Sequence, residues 1–317
     1  MASLRVRVSS MLSSLRNTNA WRGPSALLRP AWFAIFLFAT WLGLTCGAAA
    51  QSATRESSSN ASDTTSPSPS AVAEAAPAIV WEPLTEGLEA THFQVASGGL
   101  LSSYAVAVRA SSARFIPRSI RAAEYGWKKA SAQALCKASG ASVCINSNFF
   151  DEQGKPLGVV ISRGIQHQKV HNGGGTLTGV FFVTSDSVAI THRSLFSAEK
   201  VLEAAQAGPR LISQGAPVVG VKDSSSATNI SLVCINQEQS VILMRVSLAM
   251  FGGSLTELQS VLLRPELGCV EALNFDGGGS SQLYISGGIS GHEGATREEF
   301  LPGRDEVPVV LGLFSRR

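Results

Sequence analysis

The segment LNFDGGGSSQLYI, residues 273–285, sets a single carboxylate between two apolar, strand-like runs and follows it with three glycines and two serines. A strand ending at Asn274 and Phe275 would carry Asp276 past its C-terminal end, where a carboxylate can act as nucleophile or base. Gly277, Gly278 and Gly279 can take positive φ and turn successive N–H groups inward as an anion-binding nest, and Ser280 and Ser281 add hydroxyls. A glycine-rich hairpin with Asp276 capping its own turn is the competing reading. A tight turn between paired strands needs only about two residues, so three glycines exceed it.

Two further stretches carry groups of the same kind. In INSNFFDEQGKPLGVVISRG, residues 145–164, Asn146 and Asn148 offer amide hydrogen bonds at a strand end. Phe149 and Phe150 offer apolar faces suited to a sugar ring, and Gly158 marks a close backbone approach. In QAGPRLISQG, residues 206–215, Arg210 follows a Gly-Pro pair and is either an anion partner or a surface residue. Asp276, Asn146 and loop carbonyls could instead hold a hard cation such as calcium; no cofactor is otherwise called for. His167, His171 and His192 read as surface or turn residues. The segment HNGGGT, residues 171–176, lacks the strand-to-helix setting of a dinucleotide loop, and no GxSxG, GxxxxGKS or HExxH pattern occurs.

The elements that must position these groups are mostly strands. Candidates are residues 103–110, 141–146, 179–184, 187–192, 229–236, 240–247, 269–275, 282–286 and 307–314. Helices are expected over 121–140, with Gly140 as C-cap, over 194–208, and over 254–268, where Ser254 and Glu257 form a capping-box pattern. Strand-heavy and without regular β-α alternation, the pattern predicts an α+β domain around a mixed, mainly antiparallel sheet with a few flanking helices.

The formal charge of +3 invites a nucleic-acid reading, but Arg5, Arg7, Arg16, Arg22 and Arg29 fall within the first 50 residues, which contain no acid. Removing those five leaves −2 and no basic stripe to follow a phosphate backbone. Residues 1–50, with the apolar run AWFAIFLFATWLGL and the small-residue stretch ending at Ala50, read as a signal peptide or N-terminal anchor. Membrane contact is expected only through that segment if it stays uncleaved, and the chain is expected to be periplasmic or secreted. Residues 51–80 read as a Ser/Pro/Ala-rich linker and 81–317 as one domain. Of the cysteines past the signal, three lie in apolar strand-like runs, which favours buried thiols over a disulfide.

Taken in order, NSNFFDEQGKPLG, AGPRLI, ATNISLV, ALNFDGGGSSQLYI and GRDEVPVVLGLF resemble the phosphodiester glycosidase family over roughly residues 95–315. The resemblance implies a hydrolase of sugar-1-phosphate diesters acting on a carbohydrate or phosphoglycan. It also implies that Asn146, Phe150, Gly158, Gly208, Pro209, Asn274, Asp276 and the following glycines fall on motif positions. The family usually carries an arginine where this chain has Ala227-Thr228-Asn229-Ile230-Ser231, and Asn146-Ser147-Asn148 also departs from its pattern. Three readings of the missing arginine stay open: Arg210 or Lys222 replaces it, the substrate differs, or catalysis gives way to glycan binding.

Overall fold

The computed structural model describes residues 78–96, 103–222, 229–247, 254–289 and 298–316, all within one compact unit. The N-terminal segment, the linker up to residue 77, and Ala227 and Thr228 lie outside the described residues.

Three antiparallel sheets share one core. The largest runs Glu82–Thr85, Leu88–Ala96, Ser103–Ala110, Val241–Ser247, Asn229–Asn236, Cys269–Asn274, Arg210–Ser213 and Ala216–Pro217. A second runs Ile165–Gln168, Val160–Ser162, Glu203–Ala207, Gly179–Val183 and Val188–His192. The third runs Glu299–Leu301, Leu283–Ile285, Val143–Asn146, Val309–Ser315 and Phe115–Arg121. Period-two alternation decides what meets what. Val233, Ile235, Leu243 and Leu273 of the first sheet face Phe181 and Val183 of the second and Val143, Ile145 and Leu311 of the third, forming the central core.

The opposite faces are covered by helices or loops. Leu232, Cys234, Ile242 and Met244 point away from the core and are buried under Leu255, Leu258 and Leu262 of the helix Leu255–Leu262. That helix starts with the expected capping box, in which Ser254 accepts from the Glu257 N–H and the Glu257 carboxylate accepts from the Ser254 N–H. On the third sheet Cys144, Tyr284 and Val310 lie under Leu135 and Cys136 of the helix Ala132–Ser139, which Ser131 caps at its start and Gly140 closes in the left-handed region. The fold is therefore the predicted α+β class.

Three expectations are corrected. The helix expected over 121–140 is confined to Ala132–Ser139, preceded by a 3-10 turn at Ala122–Tyr125. The helix expected over 194–208 is instead a short 3-10 turn, Arg193–Leu195, and the strand Glu203–Ala207, which is buried along its whole length between two partners. Its small alanines fit between packed layers, and burial overrides their helical preference. Cys234 and Cys269, read as thiols, form a disulfide with a Cα–Cα distance of 5.8 Å, since adjacent antiparallel strands bring them together. Cys136 and Cys144 remain buried thiols.

The disulfide closes a loop of sequence separation 35, which limits the unfolded chain by roughly 3–4 kcal/mol. Urea unfolding with and without reductant should show the reduced protein less stable by that order. Coincident transitions would show that the bond contributes nothing.

Candidate active site

Asp276 stands at a seam between sheets. The strand Cys269–Asn274 belongs to the first sheet and Leu283–Ile285 to the third, so DGGGSS is a crossover between sheets and the hairpin reading fails. Phe275 is buried in the central core, and its N–H donates to the Ser231 carbonyl at 2.8 Å. The next peptide is held from both sides. The Asp276 N–H donates to the Ser147 carbonyl at 3.0 Å, and the Asp276 carbonyl accepts from Asn146 Nδ2 at 2.6 Å.

Asn146 is itself fixed by a buried polar chain. Its Oδ1 accepts from Ser231 Oγ at 2.7 Å and from the Gln282 N–H at 3.0 Å. With the Ser231 hydroxyl proton so directed, the 2.9 Å contact between Ser231 Oγ and Ser281 Oγ requires Ser281 to donate. Gln282 extends the chain: its Oε1 accepts from the Ala132 N–H at 2.6 Å and its Nε2 donates to the Asp305 carbonyl at 2.9 Å. Asn274 ties the other flank, its Nδ2 donating to the Gly208 carbonyl at 3.0 Å.

Burial pushes the Asp276 carboxyl up to about 6, against the opposing pull of the Ser280 hydroxyl and the Gly277 N–H, while the Asp305 charge adds to the rise. The carboxylate lines a cavity of about 820 Å³ together with Asn274, Gly277 and Gly278. Its lining includes the polar residues Thr176, Thr178, His192, Arg210 and Lys222 and the apolar residues Phe149, Val219, Val221, Ile230 and Leu255. Gly208 lets the chain pass close to Thr176, because a Cβ there would run into the Thr176 carbonyl. The Arg210 N–H meanwhile donates to Thr178 Oγ1 at 3.0 Å. The two cations differ in availability. Arg210 pairs with Glu271 at 3.2 Å and also meets Ser213, leaving its Nε without an acceptor among the described residues. Lys222 is exposed and makes no ion pair among the described residues.

Asp276, Asn274, Gly277, Gly278 and Arg210 thus share one cavity. The other expected site residues do not line it, each for a physical reason. Asn146 is fully buried, with its carboxamide oxygen taken by two internal donors. Asn148 is buried and its Nδ2 donates to the carbonyls of Val159 and Gln206. Phe150 packs under the helix Ala132–Ser139 with the Lys129 ammonium 5.3 Å from its ring, and its neighbour Phe149 takes the cavity position. Gly158, at φ +86, is required because a Cβ would approach Gln206 Oε1 to 2.7 Å. Gly279 abuts the Asp305 carboxylate, Ser280 acts on the Asp276 carboxylate, and Ser281 belongs to the buried chain. Thr176, Thr178 and His192 were not foreseen as site residues. His192 reaches the cavity from the end of a strand in the second sheet, and Thr176 and Thr178 from the segment that leads into the strand Gly179–Val183.

The sequence matches the phosphodiester glycosidase family over residues 139–314. The structure is similar to the catalytic domain of zebrafish N-acetylglucosamine-1-phosphodiester alpha-N-acetylglucosaminidase, auto-inhibited by its pro-peptide. The TM-score is 0.55 and the identity 17%, with 74% of this chain and 85% of that one covered. It is also similar to a hypothetical protein from Synechocystis, with a TM-score of 0.52 and 18% identity over 76% of this chain and 64% of that chain. The chain therefore spans less than two thirds of the Synechocystis protein. No curated protein matches in sequence. A match over more than half the chain, on a fold shared with a solved phosphodiester glycosidase, makes this protein a member of the phosphodiester glycosidase family.

Proposed function

We propose that the protein is an exported hydrolase that cleaves sugar-1-phosphate diesters in an envelope or extracellular glycopolymer, with Asp276 as nucleophile or base. The observation that carries this reading is one carboxylate of raised pKa in a cavity whose wall also bears Lys222 and Arg210. Expelling a phosphate monoester needs far less help from a general acid than expelling an alkoxide. A pair of carboxylates flanking the bond, as in most glycosidases, is then not required. Asp276 attacks the anomeric carbon, or takes a proton from the water that does, and the bond from that carbon to the phosphate oxygen breaks. The phosphate leaves with the electron pair, and Lys222, Arg210 and the amide of Gly278 stabilise its charge. Phe149 and the other apolar lining residues suit the C–H face of a sugar ring. The acid-free, arginine-bearing lead and its apolar run support export.

A second reading, a phosphoglycan-binding module without turnover, is favoured by one observation. Arg210 is already paired with Glu271, so less positive charge faces the cavity than two cations would supply. Incubating the purified protein with a panel of sugar-1-phosphodiesters decides between them: binding without product means the second.

Asp276→Asn should lower kcat about 100-fold to 10,000-fold, and equal activity in the two proteins would remove Asp276 from the mechanism. The ionised carboxylate is penalised by burial, so this substitution is not expected to lower the urea midpoint at pH 8, which separates lost chemistry from lost folding. For the wild type, kcat/KM should rise as pH climbs through about 6 and level off above it, because the base form of Asp276 is the working one. A rate that falls across that range would assign Asp276 the acid role instead. Lys222→Ala should cost kcat/KM about tenfold to a hundredfold, the loss of one charged hydrogen bond to phosphate. An unchanged value would exclude Lys222 as the replacement for the family's arginine.

A further inference from the structure

A second cavity opens beside the first, and the segment HNGGGT lies between them. It is lined by Lys155, Gly158, His167, Lys169 and His171, with Gln166 and Gln168 adding amides and no acid in the lining. Its volume is about 740 Å³. Lys155 and Lys169 are exposed and make no ion pair among the described residues, whereas the nearby Glu124 is engaged by Arg121 at 3.0 Å and faces Arg163 at 3.9 Å. Burial and the Arg121 charge hold the His167 imidazole below its usual range, with Glu124 opposing.

Two of the lining residues, Gly158 and His171, are set in place by a buried amide. Gln206 is fully buried, and its Oε1 accepts from the N–H groups of Val159 at 3.0 Å and His171 at 2.8 Å. Its Nε2 donates to the carbonyls of His171 at 2.8 Å and Leu177 at 3.0 Å. All four capacities of the amide are used, and the missing Cβ of Gly158 makes room for it. Arg193 pins the glycine run from the other side, donating to the carbonyls of Gly173 at 2.7 Å, Gly174 at 2.6 Å and Leu177 at 3.1 Å. The partition therefore has a set position. His171 lines the second cavity and Gly175 the first. Their Cα atoms, four residues apart, cannot be separated by more than about 14 Å.

We propose that the Lys155, His167, Lys169 and His171 cavity is a binding site for a second phosphoryl group of the substrate chain, so that the enzyme acts on a polymer carrying repeated phosphodiesters. The choice of a phosphoryl group rests on the reading of the first cavity. The cationic, acid-free lining and the short segment from His171 to Gly175 that links the two cavities stand independently of it. Bound there, one phosphate would hold the chain in register while the neighbouring phosphodiester enters the cavity at Asp276.

The test is NMR of the histidine ring resonances during titration with inorganic phosphate and, separately, with dimethyl phosphate as a diester probe. Either probe should move the rings of His167 and His171, and Lys155→Glu with Lys169→Glu should weaken that response by at least about tenfold. The neutral pair Lys155→Gln with Lys169→Gln should weaken it less, which guards against a folding defect in the charge-reversed protein. A response to inorganic phosphate alone would overturn the repeated-phosphodiester reading, because the bridging phosphates of such a polymer are diesters. If neither probe moves the two rings, or the charge-reversed protein responds like the wild type, the site does not exist. The charge-reversed protein should still cleave a small sugar-1-phosphodiester as the wild type does. A wild type that binds phosphate here but cleaves no such diester would leave this site standing and remove the proposed reaction.

Discussion

The site depends on the bond from Asn146 to the Asp276 carbonyl. That bond joins the end of a strand in the third sheet to the crossover leaving the first, and it fixes a peptide whose side chain must point into a cavity. Asn146 can do this only because its own oxygen is saturated by Ser231 and Gln282, and Ser231 in turn by Ser281. The chain is buried, uncharged and directional. Removing any one hydroxyl would leave a buried acceptor unpaired, at a cost of about 1–3 kcal/mol.

This arrangement separates two tasks that share a short stretch of chain. Asp276, Gly277 and Gly278 face the cavity, whereas Gly279, Ser280 and Ser281 hold the loop in place. Gly279 is the turning point: its carbonyl accepts from the N–H groups of Arg304 at 2.7 Å and Asp305 at 3.0 Å, tying the loop to the approach of the last strand. The electrostatics follow from the same packing. Burial raises the Asp276 carboxyl, and the Ser280 and Gly277 donors keep the rise moderate, which leaves the group able to titrate near neutrality.

What could be read from residues alone was the part governed by local pattern. Asn229–Asn236 carries a continuous apolar run between two asparagines, and its bounds match the expectation, while Ser254 with Glu257 announced its helix. The misses share a cause in tertiary context. EAAQA reads as helix until packed layers on both sides make it a strand. Phe115–Arg121 contains Pro117, which argues against a strand, yet it lies at a sheet edge where the missing N–H is tolerated. In the site, the carboxylate and its glycines were legible because their types are unusual together. The opposite roles of Phe149 and Phe150 were not, since adjacent residues of one extended segment point to opposite sides and nothing local says which is which. Thr178 and His192 were invisible for a related reason: they gain meaning only from the sheet that carries them to the cavity.

The Asn146 to Asp276 bond spans 130 residues, and Asn146 lies in a strand paired with Val309–Ser315 near the C-terminus. Contacts of such long range form slowly and late, because much loop entropy is lost before they close. A nascent chain emerging N-terminus first therefore has no assembled carboxylate site until the strand Val309–Ser315 has been made. Prematurely terminated products should consequently be chemically inert while still carrying most of the strands.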